Sequence, residues 1–157
     1  MFNKSTIKRT QFVISILTTL ILASCSKDQN SFVPYTPVDF YIPLATNNHL
    51  TIPANSITYR NQGYAGIIVM CINPTQYYAF EACCPYETLS TCSAELDPIQ
   101  GQSSPGMVYS SSVTGKCKCC GSEYSLFGGG YPTKGPSSRS LQQYQVAVIG
   151  GRLWIHN

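Results

Sequence analysis

Charge and histidine are both scarce in this sequence. Only 11% of its 157 residues are charged, and only two are histidines. Disordered tails, coiled coils and nucleic-acid-binding proteins carry far more charge, so these classes are excluded. His49 and His156 lie outside the cysteine-rich segments, and no Ser/His/Asp or Cys/His arrangement for nucleophilic catalysis is found. The sequence therefore contains no recognisable catalytic constellation.

Long apolar runs are also missing. The clearest run, residues 12–22, has eleven residues, which is too short to cross a hydrocarbon core of ~30 Å as a helix. Basic residues precede it and Leu-Ala-Ser-Cys ends it at Cys25. This order is typical of an export signal, and its end resembles the lipobox of bacterial lipoproteins, in which the cysteine is diacylated. The alternative is an ordinary secretory peptide with a chance cysteine.

The lipobox interpretation divides the chain into three parts. We expect a signal peptide at 1–24, a lipidated polar tether at 25–37 and one domain at 38–157. The three basic residues of the signal account for the net charge of +3, and a neutral domain has no field that would attract nucleic acid. Lipid on Cys25 would anchor the protein in the bacterial cell envelope, at the periplasmic face or the cell surface.

Short apolar stretches separated by Gly, Pro and Asn predict an all-β domain, a small antiparallel barrel or sandwich. The predicted strands are 38–44, 56–60, 66–72, 77–81, 123–127, 144–149 and 152–156. Stretch 66–72 is apolar throughout, which indicates a central strand buried on both faces. Hairpin turns are predicted at 73–76 and 150–151. The serine- and glycine-rich stretches 102–112, 128–130 and 135–140 are predicted to be ordered loops.

The eight cysteines fall into distinct classes. Cys25 is assigned to lipid, and Cys71 lies in the apolar strand, where a free cysteine behaves as a small buried hydrophobe. The remaining six form two groups of three on predicted loops: Cys83, Cys84 and Cys92, then Cys117, Cys119 and Cys120. Knuckle-type metal sites are built in this way, with ligands from two loops that meet at one point. A rubredoxin-like tip is therefore expected.

Two segments resemble the cluster-binding loops of Rieske-type iron–sulfur domains. Residues 117–127, which read CKCCGSEYSLF, are similar to the second loop of that family, and a Gly-Pro at 135–136 follows as it does there. Residues 78–86, which read YAFEACCPY, resemble the first loop. The closing QYQVAVIGGRLWI is similar to the final hairpin of those domains. The resemblance covers about 38–157.

The resemblance implies a [2Fe–2S] cluster and electron transfer, with Cys84 and Cys117 as ligands. It also implies that Cys119 is the family's disulfide cysteine, for which Cys92 is the nearest available partner. The family's two histidine ligands are replaced, because their positions carry Tyr86 and Cys120. The chain would thus be a divergent Rieske-like lipoprotein and, if redox-active, an electron-transfer component of an oxidoreductase system.

Three interpretations of the six cysteines remain open. Cys84, Cys117 and Cys120, with Cys83 or Cys92, could ligate an iron–sulfur cluster whose potential would be low, roughly −400 mV, for lack of imidazole ligands. The same thiolates could hold a structural zinc ion. Alternatively, an oxidising compartment could convert the cysteines into disulfides, giving a metal-free structural or interaction lipoprotein. No twin-arginine pair precedes the apolar run, so export of a folded, cluster-loaded chain has no support. The partner, a redox or envelope protein, is not identified by sequence.

Overall fold

The domain is built from short antiparallel strands. The computed structural model describes residues 33–157, so the predicted signal peptide and Cys25 lie outside the described residues. The elements are β1 (Asp39–Pro43), a 3-10 helix (Asn48–Thr51), β2 (Ser56–Tyr59), β3 (Ile67–Asn73), β4 (Gln76–Glu81), β5 (Ala94–Glu95), β6 (Met107–Ser110), β7 (Thr114–Cys117), β8 (Glu123–Ser125), β9 (Tyr131–Lys134), β10 (Gln143–Ile149) and β11 (Arg152–His156). The prediction of an all-β fold is confirmed.

Seven strands form a curled antiparallel sheet in the order β1-β11-β10-β4-β3-β2-β6. β3 is an interior strand between β4 and β2, and five consecutive residues from Ile67 to Cys71 are buried in it, as predicted. Side chains alternate across a strand, so Ile67, Val69 and Cys71 face one side of the sheet, while Ile68 and Met70 face the other. The strand therefore contributes to two separate hydrophobic cores.

The first of these, which we call the sheet core, is formed almost entirely by the large sheet. Its buried members are Val38, Ile42, Leu50, Ile57, Ile67, Val69, Cys71, Tyr77, Ala79, Tyr144, Leu153 and Ile155. The second, the tip core, includes residues from β3, β4 and the smaller sheet. Its buried members are Ile68, Met70, Phe80, Ala82, Cys84, Cys92, Ala94, Leu96, Cys117, Tyr124, Leu126 and Leu141. Three of the cysteines thus lie buried in the tip core.

The smaller sheet has the order β5-β7-β8-β9 and is also antiparallel. Ala94 pairs with Cys117, and Gly115 pairs with Tyr124. The pairing of β5 with β7 brings the segment before β5 beside the turn after β7. Both segments carry cysteines, so this register determines where the cysteines meet.

Both predicted hairpins are present. Gly150 and Gly151 connect β10 to β11 with φ of 57° and 75°, the left-handed conformation that a two-residue hairpin turn of this type requires. At the other turn, between β3 and β4, the Asn73 side-chain oxygen accepts the Thr75 amide at 3.0 Å, which is the turn chemistry expected of asparagine.

The assignment of 102–112 as a loop was wrong in part. Residues Met107–Ser110 form β6, an edge strand that pairs with β2. Their alternating burial was obscured by the serines and glycine around them. Among the described residues, no helix has the length and apolar character needed to cross a membrane.

Candidate metal centre

Two loops carry the cysteines. The first cysteine loop, residues 82–93, connects β4 to β5, and the second, residues 118–122, connects β7 to β8. Backbone hydrogen bonds fix each one: the Cys84 amide donates to the Cys92 carbonyl at 2.9 Å, and the Gly121 amide donates to the Cys117 carbonyl at 2.9 Å. Gly121 has a φ of 72°, a value that favours glycine and reverses the chain after Cys120. The pairing of β5 with β7 then brings the two cysteine groups together in space.

A disulfide joins the two loops. Cys92 and Cys119 are bonded with an S–S distance of 2.05 Å and a Cα–Cα distance of 5.4 Å. This is the pairing that the Rieske resemblance implies. Cys92 is buried, whereas Cys119 is exposed, so the bond links the interior of the first loop to the surface of the second.

Three thiols gather beside this disulfide. The sulfur atoms of Cys84, Cys117 and Cys120 all lie within 4.8 Å of one another. Cys84 Sγ and Cys120 Sγ are 3.5 Å apart. Cys84 and Cys117 are buried, and Cys120 is partly exposed. We refer to these three residues as the thiol cluster.

Two hydroxyl groups contact the thiol cluster. The Tyr124 hydroxyl lies 3.2 Å from Cys84 Sγ, and the Cys120 thiol donates to Ser122 Oγ at 3.1 Å. Ser122 Oγ is itself fixed, because it accepts the Ser137 amide at 3.0 Å. Gly135 allows this arrangement: a Cβ there would lie 2.6 Å from Ser122 Cα. The Gly-Pro motif after the second loop thus leaves room for Ser122.

The thiols differ in acidity because their surroundings differ. Burial raises the pKa of Cys117 to about 12. Burial also opposes ionisation of Cys120, but hydrogen bonds with Ser122, Cys84 and Cys117 outweigh it, so the pKa of Cys120 is lowered. Burial, and then contact with Cys84, raises the pKa of Tyr124, which keeps its hydroxyl protonated and able to donate to a thiolate.

Cys83 does not join the thiol cluster. Its thiol faces the carbonyl oxygens of Cys84 at 3.9 Å and Leu89 at 3.7 Å. Burial, and then the charge of Glu81, raises the pKa of Cys83 to about 12. Cys71, in the sheet core, is likewise separate from the cluster. Cys92, considered as a fourth ligand, is committed to the disulfide.

The histidines lie elsewhere, as expected from sequence. His49 Nε2 lies 3.0 Å from the Ser110 carbonyl oxygen, and His156 stacks on Trp154 with ring centroids 4.0 Å apart. Neither belongs to a group of three metal-ligating side chains within the described part of the chain. Tyr86, at the other histidine position of the resemblance, is partly buried against the tip core.

A buried carboxylate beside the first loop was not singled out by the sequence. Glu81 is fully buried and accepts four hydrogen bonds. Its Oε2 accepts the Tyr64 amide and the Tyr144 hydroxyl, both at 2.8 Å. Its Oε1 accepts the Ala65 amide at 2.8 Å and the Cys83 amide at 3.1 Å. Glu81 therefore fixes the entry to the first cysteine loop, and no local motif marks it because its partners are distant in sequence.

The donor set decides which metal groups fit. A Rieske centre with two imidazole ligands does not fit, since no histidine reaches the thiol cluster. For an all-thiolate centre, the thiol cluster provides three of the four ligands. In a tetrahedral site with metal–sulfur distances of about 2.3 Å, ligand sulfurs lie about 3.8 Å apart, which is compatible with the observed spacing within 4.8 Å. Three cysteines can thus converge on one metal atom.

Comparison with known proteins adds no identification. No family model matches the chain, and no curated protein shows a significant match to it. The fold and the site define it as an all-β domain in which a disulfide links two loops beside a cluster of three free thiols.

Proposed function

We propose that this protein is a metal-binding electron-transfer component whose centre is held by Cys84, Cys117 and Cys120. The observation that carries the metal site is the convergence of these three thiols within 4.8 Å, and the Rieske resemblance of the two loops supports the electron-transfer role. They occupy three of the four ligand positions that the Rieske resemblance implies, and Tyr86 occupies the fourth. The group implied is an iron–sulfur centre of the [2Fe–2S] type.

The chain's own residues would tune such a centre. An iron–sulfur group supplies one-electron redox chemistry when bound. The Tyr124 and Ser122 hydroxyls lie within 3.2 Å of ligand sulfurs, so they can donate hydrogen bonds that stabilise thiolate charge. Ala82, Leu126 and the rest of the tip core exclude water from the buried side. Cys120, partly exposed, provides the side from which electrons enter or leave.

A second candidate is a single zinc ion with a structural role. The spacing of the three sulfurs favours it, because ligands on two different irons lie farther apart than ligands on one ion. Zinc would need a fourth ligand from outside the thiol cluster, such as water. Zinc would stabilise the tip without redox function.

The setting of this function is also a proposal. An acyl anchor on Cys25 would hold the domain at the envelope membrane through residues 25–37, the proposed tether. The partner would then be a redox or envelope protein that reaches the exposed side of the second cysteine loop.

The test is metal analysis of the full chain matured in the envelope. Visible absorption with about two irons per chain supports the iron–sulfur centre. A colourless protein with about one zinc supports the second candidate. A protein that contains neither metal, and that binds neither iron nor zinc after its thiols have been reduced, overturns both.

A pair of variants makes the test specific. Cys120→Ser removes one ligand and should abolish most metal binding, while leaving the Cys92–Cys119 disulfide intact. Cys71→Ala is the matched control, since Cys71 is a buried free cysteine of the sheet core and should bind metal as the wild type does. Equal metal content in the two variants would refute the assignment of ligands.

A further inference from the structure

One contact within the thiol cluster joins an accessible and an inaccessible cysteine. Cys84 Sγ and Cys120 Sγ are 3.5 Å apart. Cys84 is completely buried, whereas Cys120 is partly exposed. Disulfide sulfurs are about 2.05 Å apart, so the two atoms need to approach by only about 1.5 Å to form a bond.

We propose that, in the metal-free chain, Cys84 and Cys120 act as a dithiol–disulfide exchange pair toward the disulfide of another protein. Cys120 is the attacking residue because an external disulfide can reach it. Cys84 is the resolving residue because it lies directly behind Cys120 and is shielded from solvent. This activity goes beyond metal binding and uses two of the same sulfurs.

The exchange balances in two steps. The Cys120 thiolate attacks one sulfur of the partner's disulfide, a mixed disulfide forms, and the partner's other sulfur leaves and takes up the proton that Cys120 lost. The Cys84 thiolate then attacks Cys120 Sγ, the mixed disulfide breaks, and the partner's second sulfur leaves with the proton of Cys84. Two electrons and two protons pass to the partner, and a Cys84–Cys120 disulfide remains.

The existing disulfide favours this pairing. Cys119, bonded to Cys92, directly precedes Cys120 and anchors the second cysteine loop against the first. The Cys84 amide is also bonded to the Cys92 carbonyl at 2.9 Å. Cys84 and Cys120 are therefore held next to the same covalent link, which limits how far they can separate.

Oxidation and metal binding would exclude one another. A Cys84–Cys120 disulfide removes two of the three thiolates of the cluster, so only the reduced chain can take up metal. The redox state of this pair would then control whether the centre can be loaded.

The test uses the full chain after metal removal, with oxidised glutathione as the probe disulfide. Wild type should lose the alkylatable thiol of Cys120 in the folded chain and that of Cys84 after denaturation, and peptide mapping should recover the two residues cross-linked. Cys84→Ser lacks the resolving thiol and should accumulate a glutathionyl adduct on Cys120, at about tenfold the wild-type level. Cys71→Ala, the matched control, should behave as the wild type.

Folding is checked in the same samples, because Cys71 is buried and resists alkylation only in a folded chain. If Cys84→Ser exposes Cys71, Cys84→Ala provides the second variant. A cross-link between Cys120 and Cys117, a stable adduct on Cys120 of the wild type, or no reaction at all would each overturn the proposal. Metal content, measured before metal removal, tests the metal-binding proposal separately.

Discussion

The sheet core and the tip core share β3 but are stabilised by different chemistry. The sheet core is formed by aliphatic and aromatic side chains and contains one free cysteine, Cys71. The tip core contains Cys84, Cys92 and Cys117, and Tyr124 reaches into it. Apolar packing does not change with redox conditions, whereas the state of sulfur does. The comparison indicates that a fixed framework supports a tip whose stability depends on its environment.

The largest expected effect comes from removing the disulfide. Replacing Cys92 and Cys119 together by alanine should lower the free energy of unfolding by about 3.5 kcal/mol, because the bond closes a long loop in the unfolded chain; the two residues are separated by 27 positions. Urea unfolding measures this. Reductant should bring the wild type to the same stability.

Cys71→Ala provides the comparison in the sheet core, with a loss of about 1 kcal/mol from a small cavity. This loss should not depend on reductant. If the double alanine variant is as stable as Cys71→Ala, the tip does not depend on its covalent link.

The next effect is that of Glu81→Gln, a change of almost equal volume. The four donors around Glu81 require acceptors, and an amide NH2 would face at least one backbone N–H. The free energy of unfolding should fall by about 3 kcal/mol. Urea unfolding and the alkylation rate of Cys83, whose amide loses its acceptor, both report this change.

Glu95→Gln is the matched control. Glu95 pairs with Lys118 at 3.0 Å on the surface, with side chains 55% and 47% exposed. Such a pair contributes at most about 1 kcal/mol. Equal losses for the two variants would contradict a special role for Glu81.

A smaller difference separates two glycines, one in each region. Gly135→Ala should cost about 2 to 3 kcal/mol, since its φ is 93° and its Cβ would approach Ser122 Cα to 2.6 Å. The displaced Ser122 should also weaken metal binding through Cys120. Thermal unfolding and metal content measure the two effects.

Gly151→Ala in the β10–β11 hairpin is the corresponding change in the large sheet. Its φ is 75°, and a Cβ there meets nothing within 4 Å. Only the backbone cost of about 1 kcal/mol remains. A similar loss of stability at both positions would mean that Ser122 can move away from the added Cβ at little energetic cost.

The smallest expected effect is a pH dependence that originates in the sheet core. Burial raises the pKa of Cys71, so the folded chain keeps this proton where the unfolded chain loses it. The stabilisation is fully present below the ordinary thiol value of about 8.5 and is lost as the pH rises above it. Between about pH 8 and pH 9.5, the free energy of unfolding in urea should fall further for the wild type than for Cys71→Ala. The difference should be at most about 1 kcal/mol. If the free energies of unfolding of the two proteins fall equally with pH, Cys71 is not the source of the pH dependence.

Six of the seven strands of the large sheet could be predicted from sequence, β6 being the exception, whereas in the small sheet only β8 was predicted. β3 and β4 are apolar over several residues, and Gly150-Gly151 clearly marks the hairpin between β10 and β11. β5, β7 and β9 have two to four residues, too few to establish a period, and β9 is hardly buried. Their positions depend on tertiary pairing rather than on local pattern.

Some residues of the candidate site could likewise be predicted from sequence, and others could not. The motif around 117–121 and the resemblance indicated Cys84, Cys117, Cys120 and the disulfide. Spacing alone could not separate Cys83 from Cys84, because neighbouring residues of an extended segment point to opposite sides. Glu81 was missed since its partners Tyr64 and Tyr144 lie 17 and 63 residues away.

The alternation of β3 has a mechanical consequence. Successive residues of this one strand belong to opposite interiors, so displacing its backbone to adjust one interior necessarily disturbs the other. The seven-stranded and four-stranded halves should consequently unfold as a single cooperative unit. Oxidation, reduction or metal binding at the cysteines would then change the melting temperature of the entire domain.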